Sequence, residues 1–303
     1  MKQAAVRRPF LWSIEVAFSE FVFDKPLFHY TSTESFKIIA ESGQMRFSRA
    51  DQTNDPFEVQ FVRKVLLDHL SCLHESAKTE RDRLFWKQIL NSYEQVSEPR
   101  RLYLCCWSTR QDSIAMWRLY GQEGKGVVFG LRPRAFSSFD CRLAQVEYLS
   151  GETEISDLVA KYAAKANSDY YGLNNAPEGL ALAVRLLEAT INTKRKEWDY
   201  ESEVRLSFSF NEERYDSIKE EVEEILYNRF QSLEPTVASK EVEKQYVFQE
   251  FGKRTKDGVD RSGAIVELIL GPKCDWSLDE AAHFLSDLGY KKFCVREADI
   301  TWR

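Results

Sequence analysis

The feature that most constrains this chain is an alternating segment at 196–210. Its second half carries apolar side chains at every second position, and charged or small polar residues stand between them. Side chains on a β-strand alternate between its two faces, so the pattern predicts a strand with one apolar and one polar face. Glu203 and Arg205 share the polar face, and Glu201 joins them if the strand extends that far back. Spacing alone favours a half-buried strand with solvated charges.

Length, charge and cysteine usage set the broad class of protein. The chain has 303 residues, with 42 basic and 48 acidic side chains, so no overall charge attracts it to nucleic acid or anionic lipid. We expect one domain, 1–303. Six cysteines without a Cys-x-x-Cys motif and only four histidines indicate reduced thiols and no metal site. No apolar run reaches the ~20 residues of a membrane helix. We therefore expect a soluble, cytoplasmic protein without a membrane partner.

Strand and helix patterns alternate unevenly, which predicts an α+β fold with helical insertions. A compact unit of strand, helix, Gly43 and strand is expected at 27–48, with Thr33 as the helix N-cap. Residues 212–250 are expected to form a helical insertion, whose acidic part at 212–245 could bind a partner protein. The core is then expected at 26–210 and 262–303.

Other segments have simpler patterns. Residues 10–23 fit a helix or a strand equally well. Further strands are predicted at 102–107, 126–131, 142–149, 264–270 and 292–296. Further helices are predicted after Pro56, at 79–93, in two segments of 155–195, and at 113–120 and 278–288.

Three short motifs could carry chemistry. On the first strand His29 and Thr31 share one face, although a lone histidine is most often structural. The turn at 54–58 is explained by helix initiation alone. On the short helix at 113–120, for which Asp112 is the expected cap, aromatic residues are more often core than ligand platform. Tyr120 lies in its last turn, where its ring could be offered to a flat ligand.

These motifs occur in an order that resembles the bacterial family of unknown function DUF2971. They are Leu27-Phe28-His29-Tyr30-Thr31-Ser32, Gly43, Asn54-Asp55-Pro56-Phe57-Glu58, Cys106-Trp107-Ser108, Met116-Trp117 with Tyr120, Gly126-Val127-Val128-Phe129-Gly130, and Trp198 with Glu201, Glu203 and Arg205. The similarity covers about 26–210 and continues to the strand end at 269–271.

The motif order also resembles that of ADP-ribosyltransferases, particularly those that modify DNA bases, and of RNA 2′-phosphotransferases. This resemblance implies a split, mixed or antiparallel sheet and NAD as the substrate. It implies that Glu203 is the catalytic glutamate, that Glu201 handles the acceptor, and that His29 binds a ribose of NAD. The residues implied to bind the nucleotide are His29, Tyr30, Thr31, Trp117, Tyr120 and Arg205.

The expected function is therefore an NAD-dependent ADP-ribosyltransferase-like enzyme. It could be a toxin or an anti-phage defence effector that modifies a protein or a nucleic acid, and it needs no metal. The alternatives are a non-catalytic module that senses a nucleotide and an enzyme of the RNA 2′-phosphotransferase type. The catalytic interpretation requires His29 and Glu203 to face one cavity.

Overall fold

Helices and strands alternate irregularly along the chain. The computed structural model describes residues 24–53, 57–99, 102–139, 141–151, 153–154, 157, 178–209, 236–237 and 245–300. The strands are β1 (Leu27–Thr31), β2 (Gln44–Arg49), β3 (Leu102–Ser108), β4 (Val127–Leu131), β5 (Arg142–Gln145), β6 (Glu147–Leu149), β7 (Thr193–Arg195), β8 (Glu203–Ser209), β9 (Thr236–Val237), β10 (Gln245–Glu250), β11 (Lys253–Thr255), β12 (Gly258–Asp260), β13 (Ile265–Leu270) and β14 (Cys294–Glu297). The helices are α1 (Thr33–Ser42), α2 (Phe57–Ser76), α3 (Glu80–Val96), α4 (Ile114–Leu119), α5 (Glu178–Ile191) and α6 (Leu278–Asp287). The predicted α+β class is confirmed.

The predicted strand–helix–strand unit is β1, α1 and β2. Gly43 ends α1 with a φ of 68°, a left-handed conformation that glycine adopts without steric cost. The helix N-cap is Ser32, whose hydroxyl accepts a hydrogen bond from the Ser35 amide at 3.0 Å. The prediction of Thr33 as N-cap is wrong by one residue, because Thr33 already has helical geometry.

The largest sheet is mixed and open. Eight of its ten described strands follow the order β14-β13-β4-β1-β3-β2-β10-β9, and the other two branch from it, because β8 pairs with β3 and with β5. Strands β13 and β14 run parallel. The other neighbouring pairs run antiparallel.

Strand β3 is the point at which this sheet branches. Along one edge it pairs with β8 over its whole length, and Ser108 lies opposite Glu203. Along the other edge, Phe28 of β1 pairs with Ser108, and Ser48 of β2 pairs with Leu104. Strands β1 and β2 therefore follow one another along the same edge of β3, which brings the end of β3 between β1 and the start of β8.

The two faces of the sheet are covered by different elements. On one face, Trp107 and Phe129 pack with Phe36 of α1 and Leu285 of α6 in the main apolar core. On the other face, a smaller cluster joins β1, β4 and β13 to α4; its buried members are Phe28, Tyr30, Met116, Trp117, Val128 and Ile269.

Helices α2, α3 and α5 form a separate apolar layer, in which Leu66, Ile89 and Leu186 are buried together. The hydroxyl groups of Tyr93 and Thr190 lie 2.5 Å apart between α3 and α5. The end of α5 packs on the sheet, because Ile191 shares a cluster with Leu104 of β3. Helix α5 thereby reaches the face of the sheet that carries Glu203.

Two predicted boundaries are wrong. The strand expected at 142–149 is broken at Val146, because β5 pairs with β8 in the main sheet and β6 pairs with β7. The helical insertion expected at 212–250 cannot extend to 250, because β10 pairs with β2 at five positions.

The hairpin of β11 and β12 was not predicted, although Asp257-Gly258 between two short polar strands is a hairpin signal. Several predictions lie outside the described residues: those for 10–23 and 54–56, most of the first helical segment of 155–195, and most of 212–244. Within the described ranges, no helix is long and apolar enough to cross a membrane. None of the six cysteines, all of which are described, forms a disulfide.

Candidate functional site

The polar face of β8 is buried. Residues directly opposite in an antiparallel pair point to the same side, so Glu203 and Arg205 share a face with their partners on β3, Ser108 and Cys106. The predicted alternation of β8 is confirmed. The simplest interpretation, a face of solvated charges, is wrong, because Glu203 is only 2% and Arg205 only 1% exposed.

Arg205 binds Glu203 in a bidentate manner. The Nε and Nη2 atoms of Arg205 donate to the two carboxylate oxygens of Glu203 at 2.7 and 3.0 Å. Arg205 also donates through Nη1 to the backbone carbonyl of Ile191 at the end of α5. Burial alone would raise the pKa of Glu203, but the charges of Arg205 and Lys194 hold this pKa well below its usual range. Glu203 therefore keeps its negative charge to a lower pH than an ordinary glutamate does.

Glu201 does not lie on β8. It ends a short 3-10 turn, Lys196–Glu201, and is followed by Ser202 in a left-handed conformation with a φ of 44°. The turn is fastened to the end of β3, because the Ser108 hydroxyl donates to the Glu201 carbonyl at 2.6 Å and the Thr109 amide donates to the Ser202 carbonyl at 3.0 Å. The strand does not extend back to Glu201, yet this turn returns its carboxylate to the side of Glu203.

The Glu201 carboxylate bridges two elements of the site. Its Oε1 accepts a hydrogen bond from the Tyr120 hydroxyl, and its Oε2 accepts one from Lys194 Nζ, both at 2.5 Å. Burial raises the pKa of Glu201, although Lys194 and Tyr120 act in the opposite direction. The two glutamates thus share one face, but the pKa of Glu201 is raised and that of Glu203 is lowered.

Partly exposed aromatic side chains lie around this carboxylate. The Lys194 ammonium lies 4.8 Å from the centre of the Trp198 ring. The Tyr148 hydroxyl accepts a hydrogen bond from the Glu203 amide at 2.8 Å. Burial raises the pKa of Tyr148 to about 12. Tyr120, Tyr148 and Trp198 all keep part of their surface in solvent. A flat ligand could therefore contact their rings close to Glu201.

Cys106 also borders the cluster. Its side chain is reached by solvent and lies opposite Arg205 in the β3–β8 pair. The protein atoms around the thiol, and then the charge of Glu203, raise its pKa well above the usual value. Cys106 thus lacks the lowered pKa that is typical of an activated thiol nucleophile.

His29 lies on the opposite face of the sheet. It pairs with Phe129, its ring lies 5.3 Å from that of Trp107, and Trp107 is paired with Val204 on the apolar side of β8. The prediction that His29 and Glu203 face one cavity is therefore wrong. The physical reason is register, because Phe28 pairs with Ser108 and thus puts even-numbered positions of β1 on the side of Glu203.

The surroundings of His29 keep its ring neutral. Its Nδ1 lies 3.0 Å from the Cys106 carbonyl, at the point where β1 leaves β3. Burial lowers the pKa of His29 to about 4, and the charge of Arg46 acts in the same direction. Thr31 lies on the same face as His29, away from the glutamates.

The other predicted aromatic ligands are structural in this arrangement. Trp117 is fully buried and donates through Nε1 to Asp112 at 2.6 Å. Asp112 does not cap α4 as predicted, because the N-cap is Ser113. The Tyr30 hydroxyl donates to the Arg110 carbonyl and accepts from the Ser113 amide, both at 3.0 Å. Of the predicted nucleotide-binding residues, Tyr120 and Arg205 are the two that the structure brings to the glutamates.

Lys194 and Tyr148 were missed by sequence reasoning. Lys194 lies on β7, seven positions before Glu201, and is paired with Tyr148 of β6. No short-range spacing connects either residue to β8. A lysine in the polar run before the alternating segment is only a weak indication of a functional role, because nothing but the fold shows that it contacts the glutamates.

The fold and the site define a mixed α+β protein that buries two glutamates, a lysine and an arginine as one ion cluster beside its sheet. Residues 116–206 match the family described as "Protein of unknown function (DUF2971)". The match supports the similarity to that family, and the matched segment contains all four charged residues of the cluster but not His29. No curated protein matches the chain. No solved structure matches it.

Proposed function

We propose that this chain is an NAD-consuming, ADP-ribosyltransferase-like enzyme in which Glu201, rather than Glu203, is the carboxylate that faces the ribose. The observation that supports this most strongly is the state of Glu201. It is a buried carboxylate whose Oε1 accepts a hydrogen bond from the hydroxyl of a partly exposed tyrosine, Tyr120.

The chemistry requires a carboxylate that can interact with developing positive charge. The bond between the ribose C1′ and the nicotinamide nitrogen breaks, the electron pair leaves with nicotinamide, and positive charge spreads over the ribose ring. An acceptor then bonds to C1′ and loses a proton. A preorganised charge near this centre is typically worth ~3–4 kcal/mol. Glu203 is poorly suited to that role, because the Arg205 guanidinium binds both of its oxygens, whereas Oε1 of Glu201 accepts from the neutral hydroxyl of the partly exposed Tyr120.

Strand order also supports an ADP-ribosyltransferase-like arrangement. Strands β8, β3 and β1 are neighbours. They carry the second glutamate of the late Glu-x-Glu motif, the Cys106–Ser108 segment and the first-strand motif, and Glu201 lies in the turn just before β8. His29 points away from the glutamates, so the site does not reproduce the arrangement that the ADP-ribosyltransferase resemblance implies. No role in binding NAD is therefore proposed for His29. The Tyr120 ring is the proposed platform for nicotinamide.

The macromolecular acceptor remains part of the proposal. We propose a protein or nucleic acid, as for a toxin or a defence effector. Residues 212–244 are mostly outside the described ranges, and their proposed contact with a partner protein stays a prediction.

A second candidate is a module that binds a nucleotide without turnover. The observation that favours it is the mutual pairing of the charges: Arg205 with Glu203, and Lys194 with both glutamates. A cluster of this kind can act as structure alone. An RNA 2′-phosphotransferase activity is the remaining alternative.

The test is to incubate the purified protein with NAD and to measure free nicotinamide, while saturation-transfer NMR measures binding of NAD and of a 2′-phosphorylated oligonucleotide. The proposed enzyme binds NAD and releases nicotinamide above the rate of a heat-inactivated control. Binding of NAD without any release, with or without cell extract as acceptor, supports the module. Binding of the oligonucleotide alone supports the phosphotransferase.

A further inference from the structure

Lys194 occupies an unusual position for a lysine. Its side chain is 6% exposed, and its Nζ lies 2.5 Å from Glu201 Oε2 and 3.1 Å from Glu203 Oε2. The same ammonium lies 4.8 Å from the centre of the Trp198 ring, within range of a cation–π interaction. Two carboxylates and an aromatic ring therefore surround one positive charge.

The two cations of the cluster have different tasks. Arg205 bonds to both oxygens of Glu203 and to a backbone carbonyl, so it fixes one carboxylate to the end of α5. Lys194 instead contacts both carboxylates and so joins Glu201 to that fixed pair. Without this link, two negative side chains on one face would repel each other in a medium of low dielectric constant.

We propose that Lys194 is a positioning residue that holds Glu201 against the Glu203–Arg205 pair. Its ammonium occupies a cation site formed by Glu201, Glu203 and the Trp198 ring, here called the socket, and a small primary ammonium ion can occupy this socket when the lysine is removed. The catalytic consequence rests on the proposed function, because it is the position of Glu201 that Lys194 controls. The socket itself rests only on the geometry of the three groups around Nζ.

The size of the socket follows from the lysine side chain. Replacing Lys194 with alanine removes three methylene groups and the ammonium, which together correspond to propylammonium. The vacated space is bounded by Glu201, Glu203 and Trp198, so it favours a cation with a short apolar tail over a neutral alcohol of the same length. An added ion that binds only the folded state stabilises it in a saturable manner.

The experiment measures the melting temperature of Lys194→Ala in propylammonium chloride, in potassium chloride at equal ionic strength, and in propan-1-ol at equal concentration. Propylammonium at about ten times its dissociation constant is expected to raise the melting temperature of the variant by about 2–4 °C more than the two controls do. The matched control is Lys196→Ala, which removes an exposed lysine two positions away and should show no such difference.

A second readout distinguishes positioning from simple structural support. If wild-type protein releases nicotinamide from NAD, Lys194→Ala should release it about 10²-fold more slowly, and propylammonium should recover at least a tenth of the wild-type rate. Equal melting temperatures in all three solutions would overturn the socket. Thermal stabilisation without recovery of turnover would overturn the positioning role.

Failure of the proposed function is separable from failure of this inference. If wild-type protein consumes no NAD, the activity assignment is lost, while the melting experiment still decides whether the socket exists. If Lys194→Ala does not accumulate as folded protein, its refolding yield from urea is compared in the same three solutions. A higher yield in propylammonium supports the socket, and equal yields overturn it.

Discussion

At the scale of single residues, two glutamates separated by one position are held in opposite ways. Glu203 is fixed by the Arg205 fork and has a lowered pKa, whereas Glu201 is buried with a raised pKa between Tyr120 and Lys194. The pattern Glu-x-Glu was visible in the sequence, but the assignment of roles depends on neighbours far along the chain. Tyr120 reaches Glu201 across 81 positions, a contact that no local spacing encodes.

Replacing Tyr120 with phenylalanine should move the pH dependence of turnover. The Tyr120 hydroxyl donates to Glu201 and favours its ionised form, so its loss raises the pKa of Glu201 further. The acidic limb of the profile for nicotinamide release should therefore shift to higher pH. Tyr246→Phe, which removes a distant hydroxyl, serves as the control. Superimposable profiles for Tyr120→Phe and wild type would show that this hydrogen bond does not govern the reaction.

Acid unfolding should report on Glu203. A carboxylate whose folded pKa is depressed below 4.5 contributes stability that is present above that pH and is lost as the pH falls below it. Between pH 6 and pH 3, the free energy of unfolding of wild-type protein should therefore decrease more than that of Glu203→Gln, as measured by urea titration at each pH. Equal decreases in the free energy of unfolding of the two proteins would show that the ion pair of Glu203 with Arg205 contributes little to stability.

At the scale of elements, periodicity and turn chemistry located most strands and helices that the structure describes. The alternation of 203–209, the β1–α1–β2 unit and the apolar pattern of α5 were all readable from local sequence. Two features of the fold could not be predicted from local sequence. The face that His29 occupies depends on the register between β1 and β3, and the break at Val146 depends on which partner each half of that segment finds. Pairing of distant strands decides both.

The close approach of Gly126 to β1 should be essential for the fold near the site. A Cβ at this position would lie 2.2 Å from the Thr31 carbonyl, which is backbone and cannot rotate away. Gly126→Ala should therefore lower the free energy of unfolding by about 1–3 kcal/mol in a denaturant titration. Gly151→Ala is the matched control, because nothing lies within 4 Å of its Cβ. Equal stability of the two variants would show that the strands can separate there without cost.

At the scale of the whole molecule, the segment predicted as a helical insertion overlaps the central sheet at β9 and β10. The composition of 212–245 suggested a segment separate from the core, but composition cannot reveal that 245–250 pairs with β2. The same limitation applies to the site. Local sequence identified Glu201, Glu203, Arg205 and Tyr120, whereas Lys194 joins them only because β7 and the turn after it fold back onto β8.

A deletion series should show how much of the segment 212–250 the sheet needs. Replacing 212–230 with a short Gly/Ser linker should leave the cooperative thermal unfolding transition intact, while a deletion that extends through 250 should abolish it, because β2 then loses its partner β10. Circular dichroism at increasing temperature distinguishes the two. A cooperative transition after the longer deletion would mean that β10 is not needed for the sheet.

The most direct measurement compares Glu201→Gln with Glu203→Gln in the release of nicotinamide and in thermal stability. Both changes are nearly isosteric, so each mainly removes a charge. Glu201→Gln should lower kcat by ~10²-fold or more with little loss of stability, because its charge acts on the reacting ribose. Glu203→Gln should lose stability instead, because Arg205 is left without its carboxylate. If Glu201→Gln consumes NAD as fast as wild type while Glu203→Gln loses turnover without losing stability, the assignment of the two glutamates is wrong.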